Sequence, residues 1–281
     1  MKYLDVSDLR QETLGLYDVR VETDTVDSCA GRITTVVATY PRIIHSEVMS
    51  HRRITKNASS SRAIPARKML QQVKDFPFVP LRFGAAQPGM QMSSKNIETA
   101  ETCWVEAKNN VLRQAEELID AGVHKSIINR MLEPWSWITV VMTATEWNNF
   151  FHLRRHDDAD IHIHLLADLI YDAITKSQPR ESSCHMPFIE PEIIRDFEFD
   201  DLANISAARC ARVSYLGHDG TKSVVRDLAL AKKLRGGSGG IGHWSPFEHF
   251  AKSDIWSDSP YLGWQSYRSC CKDHFVRGNL R

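Results

Sequence analysis

Apolar and β-branched positions cluster over residues 15–24 and 32–40, and both stretches predict strands; Arg32-Ile33-Thr34-Thr35-Val36-Val37-Ala38-Thr39 is bounded by Gly31 and Pro41. After Pro41 the pattern gives way to a polar, basic stretch reaching about residue 68. Residues 76–90 hold three prolines and two glycines and predict a loop. Ile97, Ala100, Trp104, Ala107, Val111, Ala115 and Leu118 then step by three or four, one face of a helix of about 25 residues that stops at Gly122. A short helix is predicted over 125–132, before Pro134. Residues 135–152 are apolar almost all round and predict a central helix buried by others. Amphipathic helices are predicted over 158–176, 200–213 and 221–235, and the aromatic tail from 253 reads as irregular. The sum is a helix-rich α+β chain of a single domain, residues 1–281, with the glycine-rich 235–242 stretch as its best internal hinge.

Charge changes this picture little at first. The 35 Lys+Arg balance the 35 Asp+Glu of the 281 residues. That speaks against a generic polyanion or nucleic-acid binder, which needs excess cations, and ordinary hydrophobic content speaks against disorder. No apolar run is long enough to span a membrane, and no apolar signal core follows Met1. The six cysteines form no CxxC pair and read as reduced cytosolic thiols, so a cytoplasmic protein is expected.

Three patterns suggest chemistry by letter only. Residues 237–242 satisfy GxGxxG, but a helix precedes them where a dinucleotide fingerprint needs a strand, so a flexible loop is expected. His156, His162 and His164 with Asp157, Asp158 and Asp160 resemble a metal cluster. On a helix, His162 and His164 face different ways, so a solvated or partner-facing helix start is favoured and no metal is expected. Cys184-His185 pairs a thiol with a base, yet neighbours on an extended segment point to opposite faces.

The informative segment is residues 51–62, His51-Arg52-Arg53-Ile54-Thr55-Lys56-Asn57-Ala58-Ser59-Ser60-Ser61-Arg62. Between Arg42 and Lys68 there are seven Lys/Arg and one acid, Glu47, so 7 − 1 gives about +6. Hydroxyls and backbone N–H groups beside arginines suit a phosphate cradle; a solvated basic loop is the bland alternative. The spacing resembles the signature R-H-R-x-x-S-x-N-E-x-S-x-R-Y of flavin-dependent (ThyX-type) thymidylate synthases, with His51, Arg52, Asn57, Ser60 and Arg62 in register. Arg130 with Pro134 resembles the family's A-R-x-x-x-P helix end. Asn149-Phe150-Phe151-His152-Leu153-Arg154 resembles its N-F-x-x-L-R segment, and Ala159 the alanine of A-Q-x-E-I. Ala211-Arg212-Val213-Ser214-Tyr215 and Gly242-His243-Trp244-Ser245-Pro246-Phe247-Glu248-His249 resemble A-R-V-S and G-H-x-S-P-F-E-H. In the family these two elements precede the signature; here they follow it. A circular permutation that moved 206–250 from front to back accounts for the order, and close surface termini make such changes tolerable.

The resemblance implies a ThyX-like α+β fold: helix-rich, with a small antiparallel sheet, in permuted order. The signature and helical core would span 15–180, the permuted segment 200–250 and a C-terminal tail 251–281. It implies methylation of dUMP to dTMP with FAD, 5,10-methylenetetrahydrofolate and NADPH, no cysteine nucleophile, and a homotetramer whose subunits share active sites. Arg154 matches the arginine that stabilises charge on the uracil ring. Glu47, Ser59, Ser60, Ser61, Arg62, Arg130 and Arg154 match substrate-binding positions, and Ser50, His51, Arg52, Asn149 and Ser245 match flavin-binding ones. The sequence departs from the motif at its first arginine (Ser50), its serine (Thr55) and its glutamate (Ala58). It also departs at the glutamine three before that arginine (Glu47) and at A-Q-x-E (Asp160 and His162). These departures leave open a paralogue that methylates UMP or hydroxymethylates a pyrimidine nucleotide. A non-catalytic nucleotide-binding protein of the same fold is the reading from another class.

Overall fold

The fold is that of a computed structural model, which describes residues 3–213, 223–237, 242–257 and 260–271. A helical turn, α1 (Gln11–Leu14), leads into strands β1 (Asp18–Asp27) and β2 (Gly31–Pro41). The hairpin between them is set by its turn residues. The Asp27 carboxylate accepts from the backbone N–H of Cys29 and Ala30, and Gly31 sits at φ +78, where a side chain would be strained. Next come α2 (His45–Met49), β3 (Thr55–Ala58), α3 (Ala66–Asp75), α4 (Glu98–Asp120) and α5 (Lys125–Leu132). α4 ends, as its periodicity predicts, just before Gly122 at φ +78.

The stretch predicted as a central helix is instead strand β4 (Trp137–Ala144) followed by the short helix α6 (Asn148–Arg154). β4 lies between β3 and β2 and is buried on both faces. Both sets of alternating positions are therefore apolar, and the run loses the period that separates strand from helix. α7 (Ile161–Lys176) and the short strands β5 (Arg180–Glu181) and β6 (Cys184–His185) follow. Then come α8 (Phe199–Val213), α9 (Val224–Leu234), β7 (Ala251–Ser253), β8 (Trp264–Ser266) and the turn α10 (Tyr267–Cys270). The tail read as irregular thus supplies a second sheet, ordered β6-β7-β8. Ser214, Tyr215 and residues 238–241 of the glycine-rich stretch lie outside the described residues.

The main sheet runs β3-β4-β2-β1-β5. Its long neighbours are antiparallel, but β5 joins β1 in parallel, so the sheet is mixed where an antiparallel one was expected. On one face Val36, Ala38, Tyr40, Val140 and Met142 meet Ile163, Leu166 and Ile170 of α7 in the largest core. Burying each such aliphatic side chain stabilises by about 1.5–3 kcal/mol. On the other face Val37 and Val141 meet Cys210 of α8. α3, α4 and α5 pack among themselves around Val73, Ala115, Ile128 and Leu132.

The histidines of α7 are not a solvated cluster. His162 and His164 are buried, and only His156 is exposed. Asp160 caps the helix by accepting from the His162 N–H, and the His162 Nδ1 lies 2.9 Å from the same carboxylate. Its Nε2 accepts from the Leu81 N–H at 3.1 Å, which fastens the 76–90 loop to the helix. Among the described residues no cluster could hold a metal ion.

A buried polar row crosses the sheet. Thr35 and Thr143 are cross-strand partners with hydroxyls 2.6 Å apart. His185 bridges Thr25 and Thr35 (2.9 and 2.7 Å), and His249 Nδ1 lies 2.8 Å from Thr143. Burial lowers the pKa of both histidines to about 3, so both are neutral in the fold. Unfolding restores the ordinary value near 6.5, so each histidine binds a proton on unfolding as pH falls below about 6.5. The stability they allow is full above that value and is lost toward pH 3, at about 1.4 kcal/mol per pH unit for each. We predict that His249→Asn, which keeps a partner for Thr143, flattens the acid limb by about one proton between about pH 6 and 4. Urea unfolding at several pH values measures this, and an unchanged slope would mean that His249 is protonated in the fold.

Candidate functional site

Two clefts flank the signature segment. The first, about 490 Å³, is lined by Asn57, Ala58, Ser60, Arg62 and Ala63 from β3 and the turn after it. His124 and Ser126 from the start of α5, Ala211 of α8, Leu234 of α9, and His243, Ser245 and Pro246 complete it. The second, about 310 Å³, is lined by residues 50–54 and by Glu146, Asn149, Phe150, Leu153 and Arg154. Both volumes fall in the range of small-molecule sites.

Asn57 is the joint between the signature and the 206–250 segment. It is buried on β3, its Nδ2 donates to the Cys210 carbonyl of α8 at 3.2 Å, and its Oδ1 accepts from the Ser245 hydroxyl at 3.1 Å. The small residues Ala203, Ala207, Ala208 and Ala211 are buried along α8 and let it lie close to its neighbours. Asp227 of α9, fully buried, accepts from Arg209 (2.8 Å) and Arg212 and ties α9 to α8.

In the second cleft Arg154 closes α6. Its Nε donates to His51 Nε2 at 2.9 Å, and its Nη1 lies 3.3 Å from Glu47 Oε2. A nitrogen that accepts from a guanidinium carries no proton, so His51 is neutral and protonated on Nδ1. Burial, then Arg154 and Lys56, lower its pKa to about 4. Glu47 is shifted upward by burial and by the Asp160 carboxylate, against the pull of Arg154. Two of the five Arg154 N–H groups are thus engaged, which leaves donors for a ligand. Lys56 turns inward, with Nζ 2.7 Å from the Ile54 carbonyl, and burial lowers its pKa to about 8.

No family model matches the chain, and none of the curated proteins does. Among solved structures, one similar to it is the UMP/dUMP methylase PolB from Streptomyces cacaoi bound with 5-Br UMP, at 14% identity and TM-score 0.48. That match covers 57% of this chain and 89% of that one. The same methylase bound with 5-Br dUMP matches at 16% identity, over 53% and 69% of the two chains, with TM-score 0.42. Thymidylate Synthase X (ThyX) from Helicobacter pylori with FAD and dUMP matches at 15% identity, over 52% and 68%, with TM-score 0.39.

The residues singled out from the sequence fall into two groups. Ser60, Arg62 and Ser245 line the first cleft; Ser50, His51, Arg52, Asn149 and Arg154 line the second, with Glu47 bound to Arg154. Three are not brought to either. Ser59 is buried just past the end of β3 and Ser61 at the start of the 3-10 turn 61–63, and Arg130 is exposed on α5 away from both clefts. Its neighbour Asn129 is the residue sequence reasoning missed. It is fully buried, and its Nδ2 donates to the carbonyls of Ser61 (2.7 Å) and Ile64 (2.8 Å), which fixes the serine turn. The one sequence signal was a polar residue on the apolar face that carries Ile128 and Leu132.

Asn57→Ala removes both bonds of the joint between buried groups, so it is expected to destabilise the fold by about 1–3 kcal/mol. Hydrogen exchange should rise in the last turn of α8 and over 245–248 and stay unchanged in α4. Uniform loosening of the whole chain would contradict the role given to Asn57.

Proposed function

We propose that the chain is a flavin- and folate-dependent uridylate methylase of the ThyX type, in circularly permuted order, with dUMP as default substrate. The observation that carries this reading is the junction at Asn57. The 206–250 segment packs beside the signature, so Ser245 bonds Asn57 and shares a cleft with Ser60 and Arg62. A permuted chain requires that juxtaposition, and the order of residues along the sequence alone does not.

The donor sets suit the groups proposed. The second cleft gathers the cations Arg52, Arg53 and Arg154 around one carboxylate, Glu146, which fits an anionic dinucleotide such as FAD. There His51, Arg52 and Asn149 would hold FAD, with Ser245 contributing from the other cleft. FAD supplies hydride chemistry, and methylenetetrahydrofolate and NADPH supply carbon and electrons. The chain's own part is electrostatic. Arg154, held at Nε and Nη1, would stabilise negative charge on a pyrimidine ring without reorienting. Arg62 and Ser60 would hold the nucleotide phosphate.

Arg62 and Arg154 line different clefts, which accords with active sites shared between subunits of a homotetramer. The reading therefore predicts complementation. Arg62→Ala and Arg154→Ala should each lose about 10²–10³ in turnover. A mixture of the two, dissociated and reassembled, should regain activity, because some sites pair two intact arginines. A mixture as inactive as its parents would reject the shared site.

Purified protein should show flavin absorption, or acquire it on addition of FAD, and oxidise NADPH when a uridylate and the folate are present. Assays with dUMP, UMP and dCMP in parallel decide the substrate that Ser50 and Ala58 leave open. Protein that takes up no flavin would sink the enzyme reading in favour of a nucleotide-binding protein.

A further inference from the structure

The first cleft has a wall that the resemblance does not assign. His124 and Ser126, at the start of α5, line it together with Ser60, Arg62, His243 and Ser245. Ser60, Arg62, His124 and His243 can donate hydrogen bonds into it, the Ser245 hydroxyl is turned to Asn57, and among the described residues no carboxylate lines the cleft. Ala58 is the reason, because it stands in this cleft where the resembled motif has a glutamate. A space ringed by donors around one guanidinium is chemically matched to a phosphoryl group.

The geometry of His124 sharpens the match. Its Nδ1 accepts from the Ser126 N–H at 3.2 Å and lies 2.8 Å from the Ser126 hydroxyl. That nitrogen is therefore the unprotonated one, and the neutral ring carries its proton on Nε2. The far side of an exposed ring is thus a fixed donor, held in one tautomer by the helix it caps. We infer that His124, held in place by Ser126, forms a phosphoryl-binding subsite, donating from Nε2–H to oxygens whose charge Arg62 neutralises. The subsite rests on the uridylate reading for its ligand. The same chemistry is offered by the nucleotide monophosphate and by the diphosphate of FAD.

The test is calorimetric titration of the full-length chain with dUMP against deoxyuridine, FAD against riboflavin, and inorganic pyrophosphate alone. The variants are His124→Asn and Ser126→Ala. Asparagine caps a helix well and replaces the Nδ1 acceptor, but it is too short to supply the Nε2 donor. His124→Asn should keep the melting temperature and weaken the phosphorylated ligand by about tenfold, the worth of one hydrogen bond to a charged group. The unphosphorylated partner should bind as before, and the pair whose ratio shrinks identifies the phosphoryl source. Unchanged ratios and unchanged pyrophosphate binding overturn the subsite, as does equal loss of deoxyuridine or riboflavin. Wild-type protein that binds pyrophosphate but neither dUMP nor FAD rejects the uridylate reading alone, and the pyrophosphate titration of His124→Asn then decides the subsite. Wild-type protein that binds none of the three overturns both.

Discussion

The threonines that cross the inner face of the sheet set a constraint that much of this chain answers. Thr25, Thr35 and Thr143 are buried, and an unpaired buried hydroxyl costs about 1–3 kcal/mol. Their partners are His185 and His249, both from beyond residue 180. Satisfying the threonines therefore draws the second part of the chain onto the same face of the sheet. His249 closes the run that begins at Ser245, so the bond at Thr143 also places Ser245 near Asn57. Thr55 of β3 is the register partner of Thr143, which puts the polar row next to the signature strand. The first cleft opens where this layer ends against the serine turn and α5.

The same arrangement explains why the two clefts differ in character. The first lies between parts of the chain far apart in sequence, so its lining depends on the docking of α8 and the 243–246 turn. The second is built from two segments, residues 50–54 and Glu146 to Arg154, and takes none of its lining from α8, α9 or the 243–246 turn. A change that loosens the polar row should thus disturb Ser245 and Asn57 before it disturbs His51 and Arg154. Neutral His51 needs the separate condition that Arg154 donates to it, and that condition holds regardless of the docked layer.

Legibility in the sequence followed burial. α4, α5 and α9 face solvent on one side, so their apolar steps of three or four residues mark them within a few positions. β4 is covered on both sides and reads as a continuous apolar run, and β7 and β8 are too short for any period to emerge. At the site, the resemblance to the family's motifs singled out Arg62, His51, Arg154 and Ser245. It gave no access to Asn129, His124 or Ser126, whose roles arise only where α5 meets the serine turn. It also counted Ser59 and Ser61 with Ser60, since letters do not tell which of three serines face inward.

The charge balance carries the last step. Seven cations between residues 42 and 68 would suit a broad polyanion surface if all were free. Arg42 pairs with Glu133 (3.2 Å), Arg53 approaches Glu146 (3.8 Å), Arg67 pairs with Asp120 (2.9 Å), and Lys56 is spent on backbone carbonyls. Among the described residues Arg52, Arg62 and Lys68 make no ion pair, and the two arginines each line one of the clefts. The acidic stretch from 190 to 201 is partly absorbed too, with Glu190 on Arg209 and Asp200 accepting from the Tyr267 hydroxyl. Neutrality is thus reached by pairing most of these cations while one guanidinium in each cleft, Arg62 in the first and Arg52 in the second, makes no ion pair among the described residues. Such a protein attracts bulk polyanions weakly and still holds a strong local field at two points. An isolated cation among hydroxyl and amide donors discriminates by geometry rather than by total charge, which is what selection of one small phosphorylated ligand over nucleic acid requires.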